Sequence, residues 1–406
     1  MGPSFFLWFG VEARSEAQND WVFGVQGILQ FGLGVVGGKL TDLGHTRAVL
    51  FTGSLIYIFS FIMLSFVKTP QVYQLMLAQG VGMGIGGGLC FVPALVTAAN
   101  SFPGQQATAM GVVTSAVLFG RAASQIISVY LPVELVELID PNFGITEPSI
   151  SGPSVIRIIT GILAAILMVG NALISAPARP SKPSATGTRL LHTPYALSIA
   201  AAFLGRLGGL WLMNYIPFFI SAEEVELITE MEDIYFAYDG REGDYLTYAA
   251  LLAIPYFAGA VGSVIAGLFA DKYGVVGTYI ICELLAAASS FILGAKSSGG
   301  VIIFCALFGF FFGSTTALFA PVITTILPSE ADRGIIIGVA MAPLTIVSLI
   351  DYSPLGEKIA GPDLNWGKGV AWTAVFLFSG ASVQIIARHV HRRATQTSSP
   401  EVSGSY

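Results

Sequence analysis

The stretch GGKLTDLGHTR at residues 37–47 decides the fold, because its pattern returns as AGLFADKYG at residues 266–274. Asp42 and Asp271 are 229 positions apart, Pro93 and Pro321 are 228 apart, and the Gly-Val pairs opening at Gly111 and Gly338 are 227 apart. Correspondences that hold one spacing along most of the chain mark a duplicated unit of about 228 residues. Each copy of the motif sits between long apolar runs. A duplicated set of membrane helices is the architecture of a carrier whose substrate path runs between its two repeats.

Composition points the same way. The 406 residues are 54% hydrophobic and 11% charged, with mean hydropathy +0.74. That is too little polar surface to coat a soluble particle, so lipid must cover the outside. The net charge of −6 comes with no basic stretch extensive enough to hold nucleic acid. Cys90, Cys282 and Cys305 all fall inside apolar runs and read as packing residues. His45, His192, His389 and His391 lack metal-ligand spacing, and no Gly-rich loop carries the Lys-Ser or Lys-Thr of an ATP site. The sequence therefore predicts no enzyme, no metal site and no cofactor.

Apolar windows predict spans near 21–40, 47–67, 72–98, 107–131, 154–176, 194–220, 246–268, 276–295, 300–327, 334–351 and 369–387. An apolar fragment, Pro3–Val11, precedes them. At roughly 1.5 Å of rise per residue it covers about half of a bilayer crossing. Projected back by the repeat, the span opening near His192–Pro194 predicts a counterpart starting about 35 residues before Met1. The expectation is an all-α polytopic membrane protein on a twelve-helix plan, with a partial first helix. It divides into an N-terminal half over 1–176, a Pro-, Ser- and Arg-rich linker over 177–193, a C-terminal half over 194–388 and a tail over 389–406. No basic segment precedes the first apolar stretch, as a signal peptide would require.

Lys39, Arg47, Arg179, Lys182, Arg189, Lys272, Arg333, Arg388, Arg392 and Arg393 fall on one side of this plan. Arg14, Lys68, Arg241, Lys296, Lys358 and Lys368 fall on the other. The positive-inside rule then predicts cytoplasmic motifs, linker and tail. Two acidic loops, VELVELIDPNFGITEPS and AEEVELITEMEDIYFAYDGREGD, are expected outside, the second as an amphipathic helix with Val225, Ile228 and Met231 on one side.

The motif has a physical rationale. Gly37, Gly38 and Gly267 remove side chains where helices end and let a neighbouring backbone come close. Asp42 and Asp271 can then meet the N-terminus of a neighbouring helix, where free N–H groups and the helix dipole favour negative charge. Arg47 and Lys272 are expected to pair with carboxylates across the cytoplasmic rim. Contacts that exist only when that rim is closed would act as a conformational latch on alternating access.

These residues resemble the major facilitator superfamily signature, found after the second and eighth helices of that family. The run GGKLTDLGHTRAVLFTGSLIYIFSFIMLSFVKTPQVYQLMLAQGVGMGIGGGLCFVPALVTAANSF is similar to the fungal monocarboxylate-transporter-like branch, as are LGGLWLMNYIPFFI and GSTTALFAPVITTILPSEADRGIIIG. The resemblance covers nearly the whole chain. It implies two six-helix halves and alternating access. Some positions depart from the family: Gln105 and Gln106 replace a basic pair, Gly262 and Ser263 replace a Gly-Arg, and Arg121 stands where a small residue is usual.

Charges inside a membrane face a cavity or another charge, so they head the candidates for the substrate path. Arg206 and Arg121 can bind a carboxylate or phosphate through paired hydrogen bonds. Asn214 and Tyr215, two to three turns beyond Arg206, can add neutral hydrogen bonds, and Glu283 is the only acid well inside a span. Structural pairing within the helix bundle accounts for the same residues. Gly80, Gly84 and Gly88, with Gly309 and Gly313, form small-residue faces for close helix packing, and Pro93 and Pro321 are expected to kink their helices. The reading is a secondary carrier of a small organic solute, such as a monocarboxylate or another organic anion, by facilitated diffusion or with protons. It is expected to be a monomer in the plasma membrane, a vacuolar or other organelle membrane being the alternative. A transport-inactive sensor built on the same fold is compatible with the same residues.

Overall fold

The computed structural model describes residues 16–66, 72–139, 152–174, 192–222, 242–295, 298–328, 332–351 and 366–397. Every regular element among them is helical, and eleven helices are long and apolar enough to cross a membrane. α1 joins Glu16–Gly32 to Gly34–Asp42; α2 is Thr46–Leu64, α3 Val72–Ser101, α4 Gln106–Ile139 and α5 Gly152–Leu173. α6 is Thr193–Ala222, α7 Glu242–Tyr273, α8 Val275–Ser290 and α9 Ser298–Ile326. α10 joins Arg333–Met341 to Leu344–Asp351, and α11 is Trp366–Thr397. The fragment Pro3–Val11, the linker over 177–191, the tail beyond 397 and most of both acidic loops lie outside the described residues.

These segments are helices because lipid offers no partner to backbone N–H and C=O groups, and a helix satisfies them internally. Their side chains are apolar on both faces. In α9, Phe304, Phe308 and Phe312 are buried in a stacked column while Ile302, Ile303 and Leu307 are exposed. Phe59, Ile166, Met168 and Leu173 likewise stand exposed on α2 and α5, where hydrocarbon would solvate them. After both motif aspartates the chain turns through a left-handed glycine, Gly44 at φ 88° and Gly274 at φ 104°. That backbone region suits a residue without Cβ.

The repeat is visible in detail. Pro93 and Pro321 lie inside α3 and α9, and the helices continue through them. Four residues on, Thr97 and Thr325 donate their hydroxyls to the two proline carbonyls at 2.7 and 2.8 Å. Gly80, Gly84 and Gly88 receive α1: a Cβ on Gly84 would stand 3.0 Å from the Gln26 carbonyl oxygen, and one on Gly88 2.8 Å from that of Gln30. On α9, Gly309 and Gly313 receive α7 in the same way, at Pro255 and Gly259. Among the described residues, only α3 carries a π-helical stretch, Met76–Met83, with Gln79 buried in it. That feature has no signal in the repeat.

Candidate functional site: the motif rim and the charges inside the bundle

Two contacts join the first repeat to the second at the motif end. α1 meets α10 where small residues face each other: a Cβ on Gly38 would collide with the Gly334 backbone, and one on Gly338 would stand 2.7 Å from the Gly34 carbonyl oxygen. α4 meets α7 at the corresponding positions. A Cβ on Gly111 would stand 2.5 Å from the Ser263 carbonyl oxygen, and one on Gly267 2.7 Å from Thr108 Cα. Gly34 and Gly38 map onto Ser263 and Gly267 at an offset of 229, and Ala107 and Gly111 onto Gly334 and Gly338 at 227. The two crossings are thus related by the duplication itself.

This proximity brings each motif carboxylate to a helix N-terminus in the other repeat. Asp42 accepts the N–H of Gly334 through Oδ1 and that of Ile335 through Oδ2, both at 2.8 Å. Asp271 accepts the N–H of Ala107 at 3.0 Å, the N–H of Thr108 at 2.9 Å and the Thr108 hydroxyl at 2.6 Å. The first N–H groups of a helix have no partner within it, so each carboxylate fills a vacancy the fold creates. Asp42 is buried and Asp271 half-buried. Arg333, the first residue of α10, donates to Asn100 Oδ1 at the end of α3, a further link between the repeats.

Arg47 and Lys272 do not follow the carboxylate pairing expected of them. The Arg47 Nε donates to the Ile174 carbonyl at 3.1 Å, and Lys272 Nζ lies 5.2 Å from the ring centroid of Tyr273. The Ile174 carbonyl lies just past the end of α5 and offers Arg47 an acceptor within its own repeat.

Inside the bundle, Arg206 of α6 is buried, donates to the Thr316 hydroxyl of α9 and holds its guanidinium 4.9 Å from the Phe312 ring centroid. Glu283 of α8 is 1% exposed and lies within electrostatic reach of Arg206 and Tyr279, yet both its carboxylate oxygens lack a hydrogen-bond partner. Tyr215 is buried and stacks on Trp211, ring centroids 4.8 Å apart, and Asn214 is half-buried one position before it. Arg121 differs from Arg206: its side chain is exposed on α4, its guanidinium 6.0 Å from the ring centroid of Tyr256 on α7. Electrostatic reach from Arg121 extends also to Tyr57 on α2.

Sequence reasoning did not single out Thr108, Asn100, Thr316, Tyr279 or Tyr256, and it named Arg333 only among the basic residues of the motif side. For the first of these a signal was available. The 227 offset that pairs Gly111 with Gly338 also pairs Thr108 with Ile335, whose amides Asp271 and Asp42 accept. The others depend on side-chain direction across helices, which one sequence does not carry.

A bundle of this kind, with duplicated membrane helices joined at one rim by reciprocal contacts, defines the class of secondary transporters. The chain belongs to the Major Facilitator Superfamily, whose family model matches residues 3–229 and 234–396. Among curated relatives, the MFS-type transporter dbaD of Emericella nidulans is 26% identical over 91% of this chain and 75% of its own length. The aspyridones efflux protein apdF of the same organism is 25% identical over 92% of this chain and 69% of its own. Among solved structures, the fucose:proton symporter FucP of E. coli superposes with TM-score 0.62 over 95% of this chain and 96% of its own, at 14% identity. The protein is a multi-pass integral membrane protein and a secondary transporter.

Proposed function

We propose that this carrier moves a small organic anion, of which a monocarboxylate is the simplest case, and that it does so by opening and closing the motif rim. The observation that carries the reading is the reciprocal capping at that rim, with Asp42 on the N-terminus of α10 and Asp271 on that of α4. A carboxylate that crosses from one repeat to the other can hold its two amides only while the repeats are together on that side. The contacts are therefore a state-dependent latch. The bodies that move are the halves 1–176 and 194–388, joined by the linker 177–193, and the basic residues on the motif side put that rim in the cytoplasm.

The anion reading rests on Arg121. It is an exposed cation on a membrane helix, its guanidinium 6.0 Å from the ring centroid of Tyr256 in the other repeat and within electrostatic reach of Tyr57 in its own. Charge placed there at a desolvation cost fits an anionic solute passing between the repeats. Likeness to a relative named for efflux supports outward movement, and the proposal places that movement in the plasma membrane and in a single chain. The test is counterflow in proteoliposomes with labelled pyruvate and benzoate. Unlabelled solute inside should accelerate entry of label. Binding of label without exchange would identify a ligand sensor instead.

A further inference from the structure

The buried charges of α6 and α8 have no part in the rim latch, and their arrangement is chemically unfinished. Glu283 is 1% exposed, and neither carboxylate oxygen has a hydrogen-bond partner. The pocket that admits it is made by two missing side chains. A Cβ on Gly205 of α6 would collide with Glu283 Oε1, and one on Gly380 of α11 would stand 2.6 Å from it. Arg206 begins next to Gly205, yet its guanidinium is turned to the Thr316 hydroxyl and the Phe312 ring of α9.

An ionised carboxylate without hydrogen bonds in such a place is strongly disfavoured, whereas the neutral acid is disfavoured far less. The groups that face Glu283 offer no other way to balance the charge. α6 brings Arg206 and the Gly205 backbone, its own helix brings Tyr279, and α11 brings the Gly380 backbone, while the Thr316 hydroxyl and the Phe312 ring of α9 lie against Arg206. Arg388 of α11 faces Gly277, nearly two turns away, and α7 carries its charges only near its two ends, Glu242 and Asp244 at the start and Asp271 and Lys272 at the close. Among the described residues, Arg206 is the one cation within reach of Glu283.

We infer that Glu283 is the proton-binding group of this carrier: neutral when Arg206 lies on Thr316, as here, and ionised when Arg206 turns to pair with it. The proton joins the carboxylate from water on one side and leaves to water on the other as the rim opens and closes. In the present state it is occluded. This rests on the proposed alternating access and adds to it a coupling ion and the residue that binds it.

The test uses the full chain in liposomes with two readouts. Infrared spectra at neutral pH should show a carboxylic-acid C=O band in the wild type that is lost in Glu283→Gln and shifted in Glu283→Asp. With labelled pyruvate or benzoate, Glu283→Gln should lower accumulation driven by a pH gradient at least tenfold more than it lowers counterflow. An acid band that persists in Glu283→Gln, or gradient-driven accumulation that survives it, overturns the inference. Loss of counterflow together with accumulation in a normally folded variant also overturns it, because the residue would then serve structure or solute binding. A wild type that shows the band but no counterflow contradicts the transport reading and leaves the protonation of Glu283 standing.

Discussion

Arg121 and Arg206 carry the same charge into the membrane and meet opposite fates. Arg206 is enclosed by Thr316 and Phe312, beside Glu283, whereas Arg121 stays exposed near Tyr256. Arg121→Gln should therefore lower uptake of an organic anion at least tenfold while leaving the melting temperature within a degree or two, since exposed side chains contribute little to stability. Uptake unchanged in Arg121→Gln would remove that residue from the solute path. Arg206→Gln should instead lower stability, because it discards a charge-assisted hydrogen bond of about 1.5–3 kcal/mol, and thermal unfolding in detergent would register it. The sequence marked both arginines as rare intramembrane charges but could not separate them. Which one is enclosed depends on the α9 side chains opposite, and those lie 110 residues away along the chain.

At the scale of helices, the duplication was legible to the level of single contacts. The offset of about 228 residues pairs glycine faces, prolines and aspartates, because the physics that selected each residue acts twice. The pairing of Arg47 was not legible, since a carbonyl at the end of α5 is an acceptor whatever residue bears it. The π-helical turn in α3 was not legible either, and nothing in its sequence explains why Met76–Met83 departs from α-helical geometry. Each motif aspartate accepts charge-assisted bonds from helix-terminal amides, and the proposed latch rests on them. Loss of one carboxylate should cost the closed rim about 2 kcal/mol, or roughly thirtyfold in the ratio of open to closed. Asp42→Ala should accordingly slow or uncouple exchange more than it weakens solute binding. Thr108→Ala, which removes one of three bonds to Asp271, should have a smaller effect of about 1 kcal/mol. A large loss of affinity with an unchanged exchange rate in Asp42→Ala would contradict the latch.

Across the whole molecule, the two rim contacts lie on different helix pairs, α1 with α10 and α4 with α7, so they should add. The fold class followed from hydropathy and the repeat because lipid leaves helices as the only economical answer for such a chain. Solute and coupling ion did not follow, because they are set by a few side chains converging from distant helices. The most direct test of alternating access is a distance measurement across the motif rim. Spin labels at Leu43 and Tyr273, both exposed and each just past a motif aspartate, can be placed in the full chain with its native cysteines replaced and reconstituted in liposomes. The account predicts a short-distance population in the otherwise wild-type protein that gives way to a longer one in Asp42→Ala/Asp271→Ala. The same distance distribution with and without both aspartates would contradict it.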